Sequence, residues 1–184
     1  MSEYSKKYPW LKINSLYSSD GSDYDTMDDI PEGWRIAFGD LLCEELDAAI
    51  KKAGIEDEFG ILEIKEKYGR LVVYANHYIP EIDDILCKYS VISKNICIMC
   101  GKPDVSTIML GSWTAPYCED CFYVRPFSYR EIYEDLKYAG DSKIRNNITM
   151  MRKDGNEYIA NKIYLKDTAD KIRARWLERE IGRS

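Results

Sequence analysis

The amino-acid sequence predicts an α+β fold, and three observations carry that reading. Trp34, Phe38, Leu41, Leu42, Leu46, Ala49, Ile50 and Ala53 recur at spacings of three and four, the period of a helix with one apolar face. Two short apolar runs, around Leu62–Ile64 and Leu71–Tyr74, lie close together on either side of a glycine, as in a hairpin. Two Cys-x-x-Cys pairs then stand 17 residues apart.

The elements follow in order. Residues 1–30 read as an aromatic N-terminal arm (Tyr4, Tyr8, Trp10) and an acidic linker rich in Ser and Asp over 14–29. Aromatics at that density in an arm imply that it docks on something. Residues 31–96 read as the core unit, a helix–hairpin–helix. Its first helix has Pro31 in the first turn and Gly54 after its end, where each suits the backbone. Asp40, Glu44, Glu45, Asp47 and Lys51 form the opposite, solvated face. Leu62 and Ile64 alternate with Glu63, Lys65 and Lys67 in the first strand, and Gly69-Arg70 predicts a type II′ turn into the second. A second helix starts near Pro80 with the stripe Ile82, Ile85, Leu86, Tyr89 and Ile92.

Residues 125–184 form a mainly helical extension. Ser128 and Glu131 make a capping box, Phe127 and Ile132 a staple, and Gly140 ends that helix. Asp154-Gly155 is placed to turn a hairpin between 148–153 and 158–165, although the first half also suits a helix. Asp167 or Thr168 caps a last helix carrying Ala169, Ile172, Trp176 and Leu177.

Composition sets bounds on function. Hydrophobic residues make up 45%, which excludes wholesale disorder. No run of about 18 apolar residues exists, so no membrane span is expected. The N-terminal residues lack a signal-peptide core, which points to the cytoplasm. The net charge is -6, and the distribution is uneven: residues 1–96 are acidic and residues 125–184 basic. An acidic chain is a poor match to bulk nucleic-acid binding, which depends on phosphate neutralisation. The basic last third keeps a local nucleic-acid or nucleotide contact open.

Cys97-Ile98-Met99-Cys100 and Cys118-Glu119-Asp120-Cys121 carry the chemistry. Two cysteines three apart on a tight turn aim both sulfurs at one point, and a hairpin that joins two such turns completes a tetrahedron. Residues 97–124 are therefore read as a four-cysteine zinc ribbon with a structural Zn2+ held by Cys97, Cys100, Cys118 and Cys121. Its strands run over Val105–Leu110 and Trp113–Tyr117, turned by Gly111-Ser112. An iron–sulfur centre is the alternative for the same donors, and a redox or disulfide pair is a third. The segment from Pro116 to Cys121 superficially resembles half of a zinc deaminase, but that chemistry needs an upstream His-x-Glu. The only histidine, His77, is followed by Tyr78 and Ile79. Four thiolates also leave no open position for water, so the metal is structural and no enzyme is expected. Cys43 and Cys87 are expected to pack in the two core helices.

Fifteen tyrosines exceed what a core of this size needs. Tyr117, Tyr123, Arg125 and Arg130, beside the ribbon, form the candidate partner surface, suited to a protein interface and secondarily to base stacking.

Several segments resemble a family of small zinc-ribbon proteins of bacteriophages and prophages: Pro31-Glu32-Gly33-Trp34, Leu42-Cys43-Glu44-Glu45-Leu46, the run Ile64-Lys65-Glu66-Lys67-Tyr68-Gly69-Arg70-Leu71, Cys100-Gly101-Lys102-Pro103 and the final cysteine pair. The similarity spans residues 31–121, about half the chain. It implies a viral or prophage origin more than an activity. The function expected is non-enzymatic binding of a host protein in an infected bacterial cell, as an accessory protein or inhibitor. A nucleic-acid- or nucleotide-binding module that uses the ribbon and the basic last third is the alternative.

Overall fold

The computed structural model describes residues 3–13, 24–110, 113–123, 150–151, 157–158 and 162–183. It is a mixed fold of helices and small two-stranded antiparallel sheets. Helix α1 (Glu3–Lys7) and a 3-10 turn lead into β1 (Lys12–Ile13), which pairs with β2 (Tyr24–Asp25). Far from being a loose arm, this region places Tyr8, Trp10 and Leu11 in the main core, and what it docks on is the protein's own interior. Asp25 is buried and fastens it. One carboxylate oxygen accepts from the Ser5 N–H at 2.8 Å, and the other from the Met27 N–H at 2.9 Å.

The first long helix begins as α2 (Glu32–Trp34), passes through a π-helical stretch (Arg35–Gly39) and continues as α3 (Asp40–Ala53). Gly54, at φ 69, ends it in a Schellman motif: the Ile55 N–H reaches the Ile50 carbonyl at 3.3 Å, and the Gly54 N–H reaches Lys51. All eight apolar positions of its stripe are buried except Ala53. The opposite face is only partly solvated. Glu45 pairs with Lys88, which is 1% exposed, and accepts from the Tyr89 hydroxyl at 3.1 Å. Asp47 accepts from the Trp10 indole at 3.3 Å. The expected solvated face holds at Asp40, Glu44 and Lys51 and not at Glu45 and Asp47, because a second helix and the N-terminal segment lie against its flanks.

Strands β3 (Ile61–Lys67) and β4 (Arg70–Ala75) form the hairpin. Two details differ from expectation. The turn residues are Tyr68 and Gly69, both at positive φ (54 and 75), which is a type I′ turn between the paired Lys67 and Arg70. A register shift between Ile61 and Glu63 leaves Leu62 as an extra residue in β3. The bulge turns Leu62 outward, 60% exposed, and hands the core position to Ile61. Helix α4 (Pro80–Ile92) follows, and its predicted stripe is buried throughout.

After a 3-10 turn and the first cysteine pair come β5 (Ser106–Leu110) and β6 (Trp113–Tyr117), which pair antiparallel, then α5 (Glu119–Tyr123). Strands β7 (Met150–Met151) and β8 (Glu157–Tyr158) pair antiparallel, and the predicted turn at Asp154-Gly155 lies outside the described residues. The last helix, α6 (Lys162–Ile181), starts earlier than the predicted cap. Asp167 and Thr168 lie inside it, Thr168 and Ile172 are buried, Ile172 in the main core, and Leu177 is exposed. The predicted helix over 128–140 and most of the linker over 14–29 lie outside the described residues. No helix among the described residues is long and apolar enough to cross a membrane.

Candidate metal centre

Three backbone features build the first cysteine pair. The Cys97 N–H donates to the Lys102 carbonyl at 2.8 Å, and the Gly101 N–H donates back to the Cys97 carbonyl at 2.9 Å, closing a tight turn around Cys97–Cys100. Gly101 has φ 81, a conformation that other side chains resist. Across the hairpin, the Ile98 N–H donates to the Pro116 carbonyl at 3.1 Å, which ties the first pair to the strand that delivers the second. Cys118 then precedes α5, and the Cys121 N–H points at the Cys118 sulfur at 3.4 Å.

The ligand atoms of Cys97, Cys100, Cys118 and Cys121 all lie within 4.8 Å of one another, and the sulfurs of Cys100 and Cys118 are 3.7 Å apart. With Zn–S near 2.3 Å, the edge of a regular tetrahedron is about 3.8 Å. The donor set and its spacing therefore fit one tetrahedral ion. Among the described residues this is the one group of three or more His, Cys, Asp or Glu side chains whose ligand atoms converge.

The protonation of the thiols agrees with a site built for a cation. Burial opposes the Cys97 thiolate, but backbone amides of Cys118, Cys100 and Met99 outweigh it and lower the thiol's pKa. Burial, then the neighbouring Cys97 charge, pushes Cys100 up to about 11. Burial and the surrounding sulfurs push Cys121 higher still. Several thiolates cannot share so small a buried volume without a cation to neutralise them, and a divalent ion removes the penalty.

The cluster has a small core of its own: Cys97, Val105, Ala115, Tyr117, Cys118 and Phe122 are buried together. Its seam with the main core is backbone against backbone. The Gly33 N–H donates to the Ile98 carbonyl at 2.9 Å. A Cβ on Gly33 would fall on the Cys97 carbonyl oxygen and 2.7 Å from Gly101 N, and one on Gly101 would lie 2.6 Å from the Gly33 oxygen. Trp34, fully buried, donates its indole N–H to the Ile96 carbonyl at 2.8 Å. Nothing in the cysteine spacing pointed to Gly33. The signal was a glycine in the first turn of a helix, where residues with better helix propensity are available.

The other candidates are placed as follows. Tyr117 is 3% exposed and packs edge-on against Phe122, so the expectation that it faces a partner is corrected: its ring fills the small core. Tyr123 ends α5, and Arg125 and Arg130 lie outside the described residues. Cys43 is buried, 3.8 Å from the Met27 sulfur, and burial raises its thiol pKa far above the ordinary value. Cys87 is half-buried in α4. His77 follows β4 and is half-buried. No protein-family model matches the chain, and no curated protein or solved structure matches it either.

Proposed function

We propose that the four cysteines hold one structural zinc ion and that the protein acts by binding rather than by catalysis. The observation that carries this is the convergence of four thiol ligands at tetrahedral spacing. Four sulfurs fill the coordination sphere, so zinc bound there has no position for substrate or water. Thiol donors and a tetrahedral arrangement favour zinc over hard cations, and reduced thiols suit a reducing compartment such as a bacterial cytoplasm. The resemblance of residues 31–121 to phage and prophage zinc-ribbon proteins supports a role as an accessory protein or inhibitor inside an infected cell. Metal analysis of protein purified without added metal is expected to find one zinc per chain and no visible absorption band. Iron with such a band, or a metal-free protein that keeps the cysteine hairpin folded, would overturn the reading.

A further inference from the structure

The β3–β4 hairpin has two dissimilar faces. The paired residues Ile64–Val73 and Glu66–Leu71 share the inner one, where Ile64 and Leu71 are buried and Val73 packs on the core. Glu63–Tyr74, Lys65–Val72 and Lys67–Arg70 share the outer one. Tyr68 stands at the tip of the turn, 69% exposed, and Tyr74 is 39% exposed. The hairpin's carboxylates are engaged: Glu63 pairs with Lys65 at 2.6 Å, and Glu66 accepts from the Gly69 N–H at 2.6 Å. Lys67, Arg70 and the nearby Lys94 have no carboxylate at ion-pair distance among the described residues. Lys94 is half-buried, and burial followed by the Arg70 charge beside it lowers its pKa, so these two cations oppose each other. The stripe thus concentrates positive charge within the most acidic part of the chain.

We propose that this outer face, together with Lys94 near Arg70 at its end, binds single-stranded nucleic acid, with phosphates on Lys67, Arg70 and Lys94 and bases stacked on Tyr68 and Tyr74. Exposed aromatic rings interleaved with cations are what a flexible polyanion with flat bases requires. Lys67 lies 5.7 Å from the Tyr68 ring centroid and Lys65 lies 5.4 Å from that of Tyr74, so charge and stacking surface are delivered together. An acidic protein segment would engage the cations but has no use for two exposed rings. The proposal rests on the reading of the protein as a binding module and is independent of the metal's identity.

Fluorescence anisotropy of the full-length, metal-loaded protein with a labelled oligothymidylate of about twelve nucleotides tests it. Saturable binding is expected at low salt. With three phosphate contacts, the slope of log affinity against log salt is expected to be about -2. Replacing Lys67, Arg70 and Lys94 together by Gln is expected to flatten that slope and weaken binding about ten-fold or more. Tyr68→Asn is expected to weaken it about five-fold or more through lost stacking. Asn-Gly is also the favoured type I′ pair, so that variant keeps or gains stability, and its lost affinity reports the ring alone. No binding at low salt, an unchanged slope in the triple variant, or full affinity in Tyr68→Asn overturns the proposal. Equal displacement by polyglutamate of matched charge also overturns it and assigns the face to an acidic protein segment. If the triple variant loses its fold, Tyr68→Asn decides. Zinc content is measured in the same samples, so a failed metal reading and a failed surface are told apart.

Discussion

The main core and the cysteine unit are held together by different means. Among the described residues the core gathers 26 buried hydrophobic residues between Tyr8 and Ile172, with Trp34, Phe38 and Tyr89 in a run of ring contacts, and it closes chiefly on apolar burial around the buried Asp25 and Lys88. Among the described side chains, the cysteine unit gathers a small cluster, Val105, Ala115, Tyr117 and Phe122 around Cys97 and Cys118, and a two-stranded hairpin is marginal in water by itself. Such a unit needs a cross-link, and its four thiols are placed to make one through a metal. The difference teaches where each region is vulnerable: the core to cavities and unpaired charge, the cysteine unit to a chelator or a single oxygen-for-sulfur change.

The largest effect expected follows from that contrast. Structural zinc sites in small peptides contribute roughly 10–16 kcal/mol apparent at neutral pH. Cys97→Ser, or strong chelation, is therefore expected to abolish amide-exchange protection over residues 97–123 while α3 and α4 keep theirs. Loss of protection in both would show one cooperative unit and break the comparison.

Glu45→Ala probes the core alone. It removes the carboxylate facing the almost wholly buried Lys88 ammonium, whose pKa burial already depresses against the pull of Glu45. A cost of about 3 kcal/mol in chemical denaturation is expected, since breaking a buried pair strands a charge. Zinc content should not change. Gly33→Ala probes the seam. Its Cβ has no room against the backbone of 97–101, so a cost of about 1–3 kcal/mol is expected, together with weaker zinc retention in a competition with a chromophoric chelator. Loss of stability with unchanged zinc retention would show the two regions to be uncoupled.

The smallest effect concerns α6. Arg173 makes two bonds to Asp104, at 2.6 and 2.7 Å, tying the last helix to the loop beyond the cysteine turn. The Arg173 hydrogen bond lowers the Asp104 pKa below its ordinary 3.8, although partial burial works against it. A carboxylate depressed in the folded state contributes stability that is present above the unfolded value and is lost as pH falls through the folded one. Asp104→Asn is thus expected to cost about 1 kcal/mol or less at neutral pH, the pair being largely exposed. The difference from the unsubstituted protein should shrink as pH falls below the ordinary Asp value and vanish below the depressed folded one.

Much of this architecture was legible in the residues because it depends on local periodicity. The stripe from Trp34 to Ile50, the stripe of α4, the stop at Gly54, the start at Pro80 and the convergence of the four cysteines all repeat a short-range rule. What was not legible depends on partners distant in sequence. Leu62 reads as a core residue by alternation, and only the bulge against β4 turns it out. Glu45 and Asp47 read as solvent-facing until Lys88, Tyr89 and Trp10 arrive from elsewhere in the chain. Tyr117 looks like surface because a small core beneath the cysteines cannot be counted from spacing. The turn at Tyr68-Gly69 escaped because a tyrosine at positive φ is uncommon.

The π-helical stretch over Arg35–Gly39 has a consequence for how this chain tolerates length changes. A π turn is an α-helix carrying one surplus residue. Deleting that one residue would restore a plain helix and leave what precedes it facing as before, whereas deleting one from the regular turns of α3 would rotate the preceding segment by about 100°. In that second case Trp34 would swing away from the Ile96 carbonyl and Gly33 away from the cysteine turn. Within this long helix, the π stretch is where the loss of a codon can be expected to keep both contacts in register.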